Sequence, residues 1–148
     1  MKGKVLPPVY FLLALVAMAG LHFVWPGVQY VSFPGNLIGL VPLGAGVALN
    51  AAADRQFKQH RTTVKPFQES SALVTGFPFS VSRNPMYVGI TLMLVGVALL
   101  LGTVTPWVPV VVFAILMDRR FVSVEERMLA ETFGSEWETY RIRVRRWI

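Results

Sequence analysis

Ser82-Arg83-Asn84-Pro85-Met86-Tyr87-Val88-Gly89 is the stretch around which the chain is organised. It joins a polar segment to the apolar run that follows, and it places an arginine, an amide and a tyrosine at the start of a hydrophobic helix. Polar side chains at such a position are costly unless they bind something polar. The stretch therefore predicts both the beginning of a membrane helix and a candidate polar site.

The composition of the whole chain is that of a membrane protein. Of its 148 residues, 54% are hydrophobic and only 15% are charged, whereas a soluble domain carries roughly a quarter charged residues. Residues 5–53 and 84–117 contain no Asp, Glu, Lys or Arg. Because a spanning helix needs about 20 apolar residues, the first run holds two spans and the second holds two short ones. The sequence predicts an all-α integral membrane protein with about four transmembrane helices.

The distribution of charge predicts the orientation in the membrane. The net charge is +6, but the 14 Lys and Arg residues all lie in three places: residues 2–4, residues 55–83 and the tail from residue 119 onward. The connections at residues 26–36 and 102–105 carry none. This is the asymmetry of the positive-inside rule, so we expect cytoplasmic N- and C-termini rather than a nucleic-acid-binding surface. The absence of cysteine excludes disulfides, thiolate metal sites and cysteine nucleophiles.

The predicted elements form a single domain, residues 1–148. It consists of a two-helix scaffold (1–54), a cytoplasmic connection (55–86), a helical hairpin (87–121) and a cytoplasmic tail (122–148). The four spans are predicted at residues 7–25, 36–53, 85–101 and 107–121, with a tight turn at residues 102–106. Each helix of the hairpin offers about 16 residues, or roughly 24 Å. The first apolar run is too long for a signal peptide, so we expect a retained first helix.

The tail is predicted to be helical and amphipathic. Apolar residues recur at helical spacing over residues 121–129, Gly134 ends this helix, and Ser135 begins another with Glu138 completing a capping box. A helix lying at the membrane interface explains the basic residues of the tail through contact with anionic lipid. It does not explain the pair Glu125-Glu126, because a negatively charged leaflet repels carboxylates.

A set of polar residues is expected on the cytoplasmic face. No nucleophile–base pair, metal cluster or phosphate-binding loop is visible in the sequence, and the set consists of Arg83, Asn84, Tyr87, Glu125, Glu126, Tyr140 and Arg143. Carboxylates beside arginines suit a ligand with hydroxyls and a cation at one end and a carboxylate at the other. Ion pairing within the protein accounts for the same residues, so the residues alone leave both interpretations open.

These residues belong to a longer pattern in the second half of the chain. It consists of Thr62-Thr63-Val64-x-Pro66-Phe67, Leu73-Val74-Thr75, Pro78-Phe79-x-x-Ser82-Arg83-Asn84-Pro85-Met86-Tyr87-Val88-Gly89, Glu125-Glu126-x-x-Leu129 and Phe133-Gly134-x-x-Trp137-x-x-Tyr140-x-x-x-Val144. The pattern resembles the isoprenylcysteine carboxyl methyltransferase and phospholipid methyltransferase superfamily of integral membrane enzymes. It covers roughly residues 62–148, and the first two helices add only topology to it.

The resemblance implies an S-adenosylmethionine-dependent methyltransferase whose cofactor is enclosed by the third and fourth helices and the tail. It implies cofactor-binding roles for Arg83, Asn84, Tyr87, Gly89, Glu125 and Glu126, and catalytic roles for Glu126, Tyr140 and Arg143. Arg143 matches an arginine that lies near the methyl-accepting group. The chain departs from the prenylcysteine enzymes at Arg145, where they commonly carry a proline, and at Phe77, where a glycine is usual. These departures leave the acceptor open.

A lipophilic acceptor is expected, because it would reach the site through the membrane. A carboxylate or thiol is favoured, since an anionic acceptor needs no general base and Arg143 would orient it. An ammonium acceptor must first lose a proton, which makes a phospholipid N-methyltransferase the alternative. A non-catalytic four-helix membrane protein whose tail binds lipid or a partner is the alternative from another class. The expected partners are the lipid bilayer and a lipophilic or prenylated acceptor, and the expected location is a prokaryotic inner membrane.

Overall fold

The computed structural model describes residues 6–60 and 72–148, and this part of the chain is helical. The helices are α1 (Pro7–Val24), α2 (Leu40–Gln59), α3 (Pro85–Leu101), α4 (Trp107–Met117), α5 (Ser123–Phe133) and α6 (Ser135–Arg143). A 3₁₀-helix at Gly35–Gly39 precedes α2, and a π-helix at Asp118–Val122 joins α4 to α5. The described residues contain no β-strand. The first segment of the pattern, Thr62 to Phe67, lies outside the described residues.

Helix boundaries follow local chemistry. Pro7 and Pro85 are the first residues of α1 and α3, where the N–H that proline lacks would have no helical partner. Gly102 ends α3 at φ 69°, a left-handed conformation that glycine adopts without a steric penalty. The predicted start and end of the third helix are confirmed. The fourth helix differs in one respect, because its α-helical geometry ends at Met117 and continues as the π-helix.

The predicted capping box at the start of α6 is wrong. Gly134 occupies the N-cap position with φ 49° and ψ −117°, and no side chain caps the helix. Ser135 is therefore already helical, one residue too far along the chain to act as the cap. Glu138 instead forms an ion pair with Arg141 at 3.4 Å.

Two glycine pairs bring α2 and α3 into close contact. A Cβ on Gly89 would lie 2.9 Å from the Gly46 carbonyl oxygen, and a Cβ on Gly96 would lie 2.6 Å from the Gly39 carbonyl oxygen. Both distances are too short for any side chain, so glycine is required at each crossing point. Small residues at helix interfaces allow such close approach in membranes.

The hydrophobic core lies among α1, α3 and α4. Met18 of α1, Leu94 of α3 and Met117 of α4 are fully buried in it. Helix α1 packs against α4 and α3, whereas α2 packs against the other side of the bundle through α3. A smaller cluster of Ala53, Val74 and Phe79 lies near the end of α2. This cluster supports the segment that leads into the Ser82–Gly89 stretch.

Apolar side chains cover much of the outer surface. On α1, for example, Val16 is 71% exposed and Phe23 is 81% exposed. Exposed apolar surface of this extent marks contact with lipid or another hydrophobic partner. Two helical segments, Pro7–Val24 and Gly35–Gln59, are long and apolar enough to cross a membrane. Helix α3, with 17 residues, and α4, with 11, are shorter.

The two charge-free connections meet at one end of the bundle. The Tyr30 backbone N–H donates to the Gly102 carbonyl at 3.0 Å, and the Val104 N–H donates to the Val28 carbonyl at 3.1 Å. His22 Nδ1 and Thr103 Oγ1 are 2.8 Å apart at the same end. The Ser82–Gly89 stretch and α5 therefore lie at the opposite end, where the charged residues collect.

Candidate functional site

The tail of the chain returns to the Ser82–Gly89 stretch. After α6, Val144 is extended, with φ −121° and ψ 132°, and we call residues 144–148 the C-terminal strap. The Arg83 N–H donates to the Arg145 carbonyl at 2.9 Å. The Ser82 hydroxyl and Asn84 Nδ2 both donate to the Arg146 carbonyl, at 3.3 and 3.2 Å. These bonds bring the end of the chain to the start of α3.

Glu126 is the centre of the resulting charge cluster. Its Oε1 accepts a hydrogen bond from Asn84 Nδ2 at 3.2 Å and lies 3.3 Å from Arg83 Nε. Its Oε2 accepts from Arg146 Nε at 3.1 Å and from Arg146 Nη2 at 2.8 Å. Glu126 is only 8% exposed, and a buried carboxylate needs such partners to offset its lost hydration. A single carboxylate thus joins two guanidinium groups.

Arg83 has hydrogen-bonding capacity that the described residues leave unused. Its side chain is 10% exposed, and its guanidinium carbon lies 5.6 Å from the centre of the Trp137 ring. Burial lowers the pKa of Arg83, and the Glu126 charge opposes this shift. Nη1 is buried with no hydrogen-bond partner among the described residues. Leaving a buried charged donor unpaired is unfavourable, so this atom favours a polar group at this position.

Glu125, next to Glu126 in sequence, pairs with a different residue. The Tyr87 hydroxyl donates to Glu125 Oε1 at 2.7 Å. Burial raises the pKa of Glu125 to about 7, although the hydrogen bond from Tyr87 acts in the opposite direction. A carboxylate with this pKa changes its charge near neutral pH. The two predicted carboxylates therefore differ in environment, because Glu126 is ion-paired and Glu125 has no cationic partner within residues 6–60 and 72–148.

The π-helix determines which face of α5 carries these carboxylates. The Ser123 hydroxyl donates to the Asp118 carbonyl at 2.8 Å across the π-turn. A π-turn contains one extra residue per turn and rotates the following helix by roughly 100° relative to an uninterrupted α-helix. With this rotation Glu126 is buried and Arg127 is exposed. Single π-turns inside helices occur frequently at functional sites.

Tyr140 is held at the edge of the cluster. Its hydroxyl donates to the Phe79 carbonyl at 2.6 Å. Burial raises the pKa of Tyr140, so the phenol keeps its proton across the physiological range. The structure thus gives Tyr140 a role in fastening α6 to the segment before the Ser82–Gly89 stretch. Its predicted catalytic role stays a prediction.

Two predicted site residues lie apart from the cluster. Arg143 is exposed, and its Nε donates to the Thr139 carbonyl of its own helix at 3.3 Å. Gly89 faces α2, where a Cβ would collide with the Asn50 side-chain amide. The structure brings Arg83, Asn84 and Glu126 together and places Tyr87 with Glu125. It gives Gly89 a packing function and leaves Arg143 at the surface.

Asp118 and Arg146 belong to the cluster, although sequence analysis did not select them. Arg146 Nη1 lies 3.4 Å from Asp118 Oδ1, and Trp147 Nε1 donates to the same oxygen at 2.9 Å. Lipid contact was the role predicted for Arg146, because its position in the tail does not distinguish it from the neighbouring basic residues. Asp118 carried one signal, since an acidic residue directly ends the second charge-free run.

A cavity of about 320 Å³ lies beside the strap. Ala114, Ile115, Asp118, Arg119 and Trp147 line it. Trp147 borders this space and also packs against the hydrophobic core. Among the described residues, no group of three or more His, Cys, Asp or Glu side chains is placed to hold a metal ion.

The phospholipid methyltransferase family model matches residues 35–136 of the chain. The chain belongs to this family. The family is part of the membrane methyltransferase superfamily that the sequence resembles, so the predicted relationship is confirmed. The match includes Arg83, Asn84 and both carboxylates of α5, whereas the C-terminal strap lies outside it. Methyltransferases of this family generally use S-adenosylmethionine.

An uncharacterised protein of Haemophilus influenzae is similar to part of the chain. The two are 33% identical over 63 residues, which is 43% of this chain and 100% of the relative.

Proposed function

We propose that this protein is an S-adenosylmethionine-dependent methyltransferase acting on a lipophilic acceptor. The observation that carries the proposal is the buried Glu126 between Arg83 and Arg146, next to the Tyr87–Glu125 pair, in a member of a methyltransferase family. Perturbed, buried charges of this kind concentrate at functional sites. Internal ion pairing alone does not account for Arg83 Nη1, which is buried without a hydrogen-bond partner in the described part of the chain.

The chemistry of the cluster fits the two ends of the cofactor. The unpaired Nη1 of Arg83 suits the carboxylate of the methionine portion. The α5 carboxylates suit its hydroxyl and cationic groups, with Asn84 and Tyr87 holding them in place. The cofactor supplies an activated sulfonium methyl group. The protein then has to bind both substrates, align the acceptor and exclude water.

We favour a carboxylate or thiol acceptor, because neither requires a base of the protein once it is ionised. The resemblance gives Glu126 and Tyr140 catalytic roles with this acceptor. The role that the resemblance gives Arg143, orienting the acceptor, requires the exposed Arg143 side chain to turn toward the cluster.

One observation favours a second acceptor class, the amine of a phospholipid. An ammonium group must lose a proton before it can attack a methyl group, and a general base works best with a pKa near the working pH. Glu125 meets this condition with its pKa of about 7. With an amine acceptor, turnover should rise as the pH rises through about 7, and Glu125→Gln should remove that rise.

The proposed arrangement in the membrane has four spans with both termini in the cytoplasm of a prokaryote. The supporting observations are the exposed apolar surface of the helices and the position of every Lys and Arg away from the charge-free connections. In this arrangement the polar cofactor enters from the cytoplasm and the acceptor enters from the bilayer.

Calorimetry in detergent tests the proposed activity. We expect saturable binding of S-adenosylmethionine and of its demethylated product. Glu126→Ala should weaken this binding by roughly ten- to a hundredfold, as expected for the loss of a charged hydrogen-bonding partner. Glu131→Ala, which removes an exposed carboxylate of the same helix, is the matched control. Absence of binding by the unmodified protein would support a non-catalytic membrane protein with a lipid- or partner-binding tail.

The acceptor is identified by comparing methyl transfer from labelled cofactor to a prenylated cysteine analogue, a small thiol and phosphatidylethanolamine. Transfer to the prenylated cysteine analogue or the small thiol, and not to phosphatidylethanolamine, supports the carboxylate or thiol class. Transfer to phosphatidylethanolamine supports the amine class and the role of Glu125 as base.

A further inference from the structure

The C-terminal strap occupies one oxygen of Glu126. Arg146 donates to Oε2 through Nε and Nη2, at 3.1 and 2.8 Å. Asn84 Nδ2 donates to Oε1, and Arg83 Nε lies 3.3 Å from the same oxygen. The hydroxyls or the cationic end of a ligand can therefore bind Oε2 only by displacing Arg146. In this structure, therefore, the protein itself occupies the carboxylate at the centre of the proposed site.

Arg146 can leave Glu126 without leaving a carboxylate unpaired. Arg83 and Asn84 remain on Oε1 and continue to balance the Glu126 charge. Arg146 itself has a second carboxylate within reach, because its Nη1 lies 3.4 Å from Asp118 Oδ1. The Arg146 guanidinium thus lies between two acidic groups, and a small rotation transfers it from the first to the second.

The strap is held by individual hydrogen bonds and side-chain contacts rather than by a helical hydrogen-bond ladder. Its side-chain hydrogen bonds to Ser82 and Asn84 are 3.3 and 3.2 Å long. The Arg146 side chain is 38% exposed and remains partly hydrated. Trp147 packs against the hydrophobic core and also borders the open cavity of about 320 Å³. Segments with few buried contacts open at a lower free-energy cost than the core.

We propose that the C-terminal strap is a latch, in which Arg146 occupies on Glu126 the position taken by the ligand's hydrogen-bond donors, and that a bound cofactor displaces it. The latch rests on the proposed function for the identity of the ligand. It keeps the buried carboxylate neutralised while the site is empty. A ligand must compete with Arg146, so its apparent affinity is lowered by the fraction of molecules in which the latch is closed.

Binding affinity gives the first test. Arg146→Gln removes the charge that holds the latch, and we expect the demethylated cofactor to bind roughly tenfold tighter by calorimetry, as it would if about nine in ten molecules were latched. Trp147→Phe, which removes the hydrogen bond to Asp118 and part of the ring that packs against the core, should give a smaller gain. Arg141→Gln is the control, because Arg141 pairs with Glu138 on the exposed face of α6. Unchanged or weaker binding in both strap variants would overturn the latch.

Thiol labelling gives a second test that does not depend on affinity. The chain has no cysteine, and the Ser82 side chain is buried beneath the strap with the residue only 3% exposed. A thiol introduced by Ser82→Cys should react slowly with a maleimide in the closed state. We expect it to react several-fold faster after addition of the demethylated cofactor, or when Arg146→Gln is combined with it. Ser80→Cys, at an exposed position, is the control and should react at one rate throughout.

The outcomes separate the latch from the function on which it rests. Cofactor binding with no change in labelling and no gain in the strap variants rejects the latch and keeps the methyltransferase proposal. Failure of the unmodified protein and of both strap variants to bind the cofactor rejects both. Tighter binding together with faster labelling supports both.

Discussion

Arg143 and Arg146 have different surroundings although both belong to the basic tail. Arg146 bridges Glu126 and Asp118, whereas Arg143 is exposed and donates to a carbonyl of its own helix. Arg146→Ala should lower the free energy of unfolding by about 1–2 kcal/mol, because it removes charge-assisted hydrogen bonds to a buried carboxylate that retains Arg83. Arg143→Ala should change it by less than about 0.5 kcal/mol.

Thermal unfolding of both variants in the same detergent measures this difference. Equal destabilisation would contradict the separation of the two arginines. Normal stability of Arg143→Ala together with reduced turnover would support the acceptor-orienting role that the resemblance gives this residue.

Glu125 should make stability depend on pH. Burial raises the pKa of Glu125 from 4.5 to about 7 in the folded protein. Between these values the folded state binds the Glu125 proton more tightly than the unfolded state does. The contribution of this proton to the free energy of unfolding therefore falls as the pH rises, and it levels off above about pH 7. Glu125→Gln removes it. The variant should therefore gain stability relative to the unmodified protein between about pH 5 and pH 8, by at most about 3 kcal/mol.

Melting temperatures of the two proteins across this pH range provide the measurement. The melting temperature of Glu131→Gln, a substitution at an exposed position on α5, should vary with pH in parallel with that of the unmodified protein. A constant difference between Glu125→Gln and the unmodified protein at all pH values would mean that Glu125 keeps an ordinary pKa.

At the scale of elements, the glycines of α2 divide into two kinds. A Cβ on Gly46 would collide with the Gly89 carbonyl and lie 2.8 Å from Met93 Cγ, whereas a Cβ on Gly44 would meet nothing within 4 Å. Gly46→Ala should therefore destabilise the protein by about 1–3 kcal/mol through overpacking. Gly44→Ala should be neutral or stabilising by up to about 1 kcal/mol, because alanine favours the helix. Thermal unfolding compares them, and equal effects would contradict the close α2–α3 contact.

The helices themselves were accessible from the sequence, and the reasons are local. Pro85 and Gly102 mark the ends of α3 by backbone chemistry that needs no tertiary contact. The π-helix was not predicted. It lies where the apolar residues of α4 give way to charged residues, and this stretch is too short for one extra residue to change the hydrophobic periodicity recognisably. For the same reason the charge of Glu126 and the resemblance identified it as a candidate, whereas periodicity did not indicate that it is buried while Arg127 is exposed.

At the scale of the whole molecule, the site depends on a contact that no local pattern encodes. Arg146 reaches Ser82 and Asn84 through its own backbone carbonyl, across 64 and 62 residues of sequence. A backbone acceptor is independent of residue type, so the sequence carries no signal for it. The charge distribution nevertheless predicted that Arg83 and the carboxylates of α5 share one end of the bundle, and the ion pair between Arg83 and Glu126 agrees with this.

The same division between the two ends predicts the topology. The connection between α1 and α2 meets the turn between α3 and α4 at the charge-free end, and Ser80 lies in the segment that leads to the charged end.

Because the chain lacks cysteine, Ser32→Cys and Ser80→Cys each introduce a single exposed thiol. In inside-out membrane vesicles an impermeant maleimide should label the thiol at position 80 and not the thiol at position 32, and in right-side-out vesicles the reverse. Ser135→Cys, on the tail, should follow position 80. Labelling of positions 32 and 80 from the same side would contradict the topology in which α1 carries the chain out of the cytoplasm and α2 carries it back. It would require α2 to lie in the membrane without crossing it.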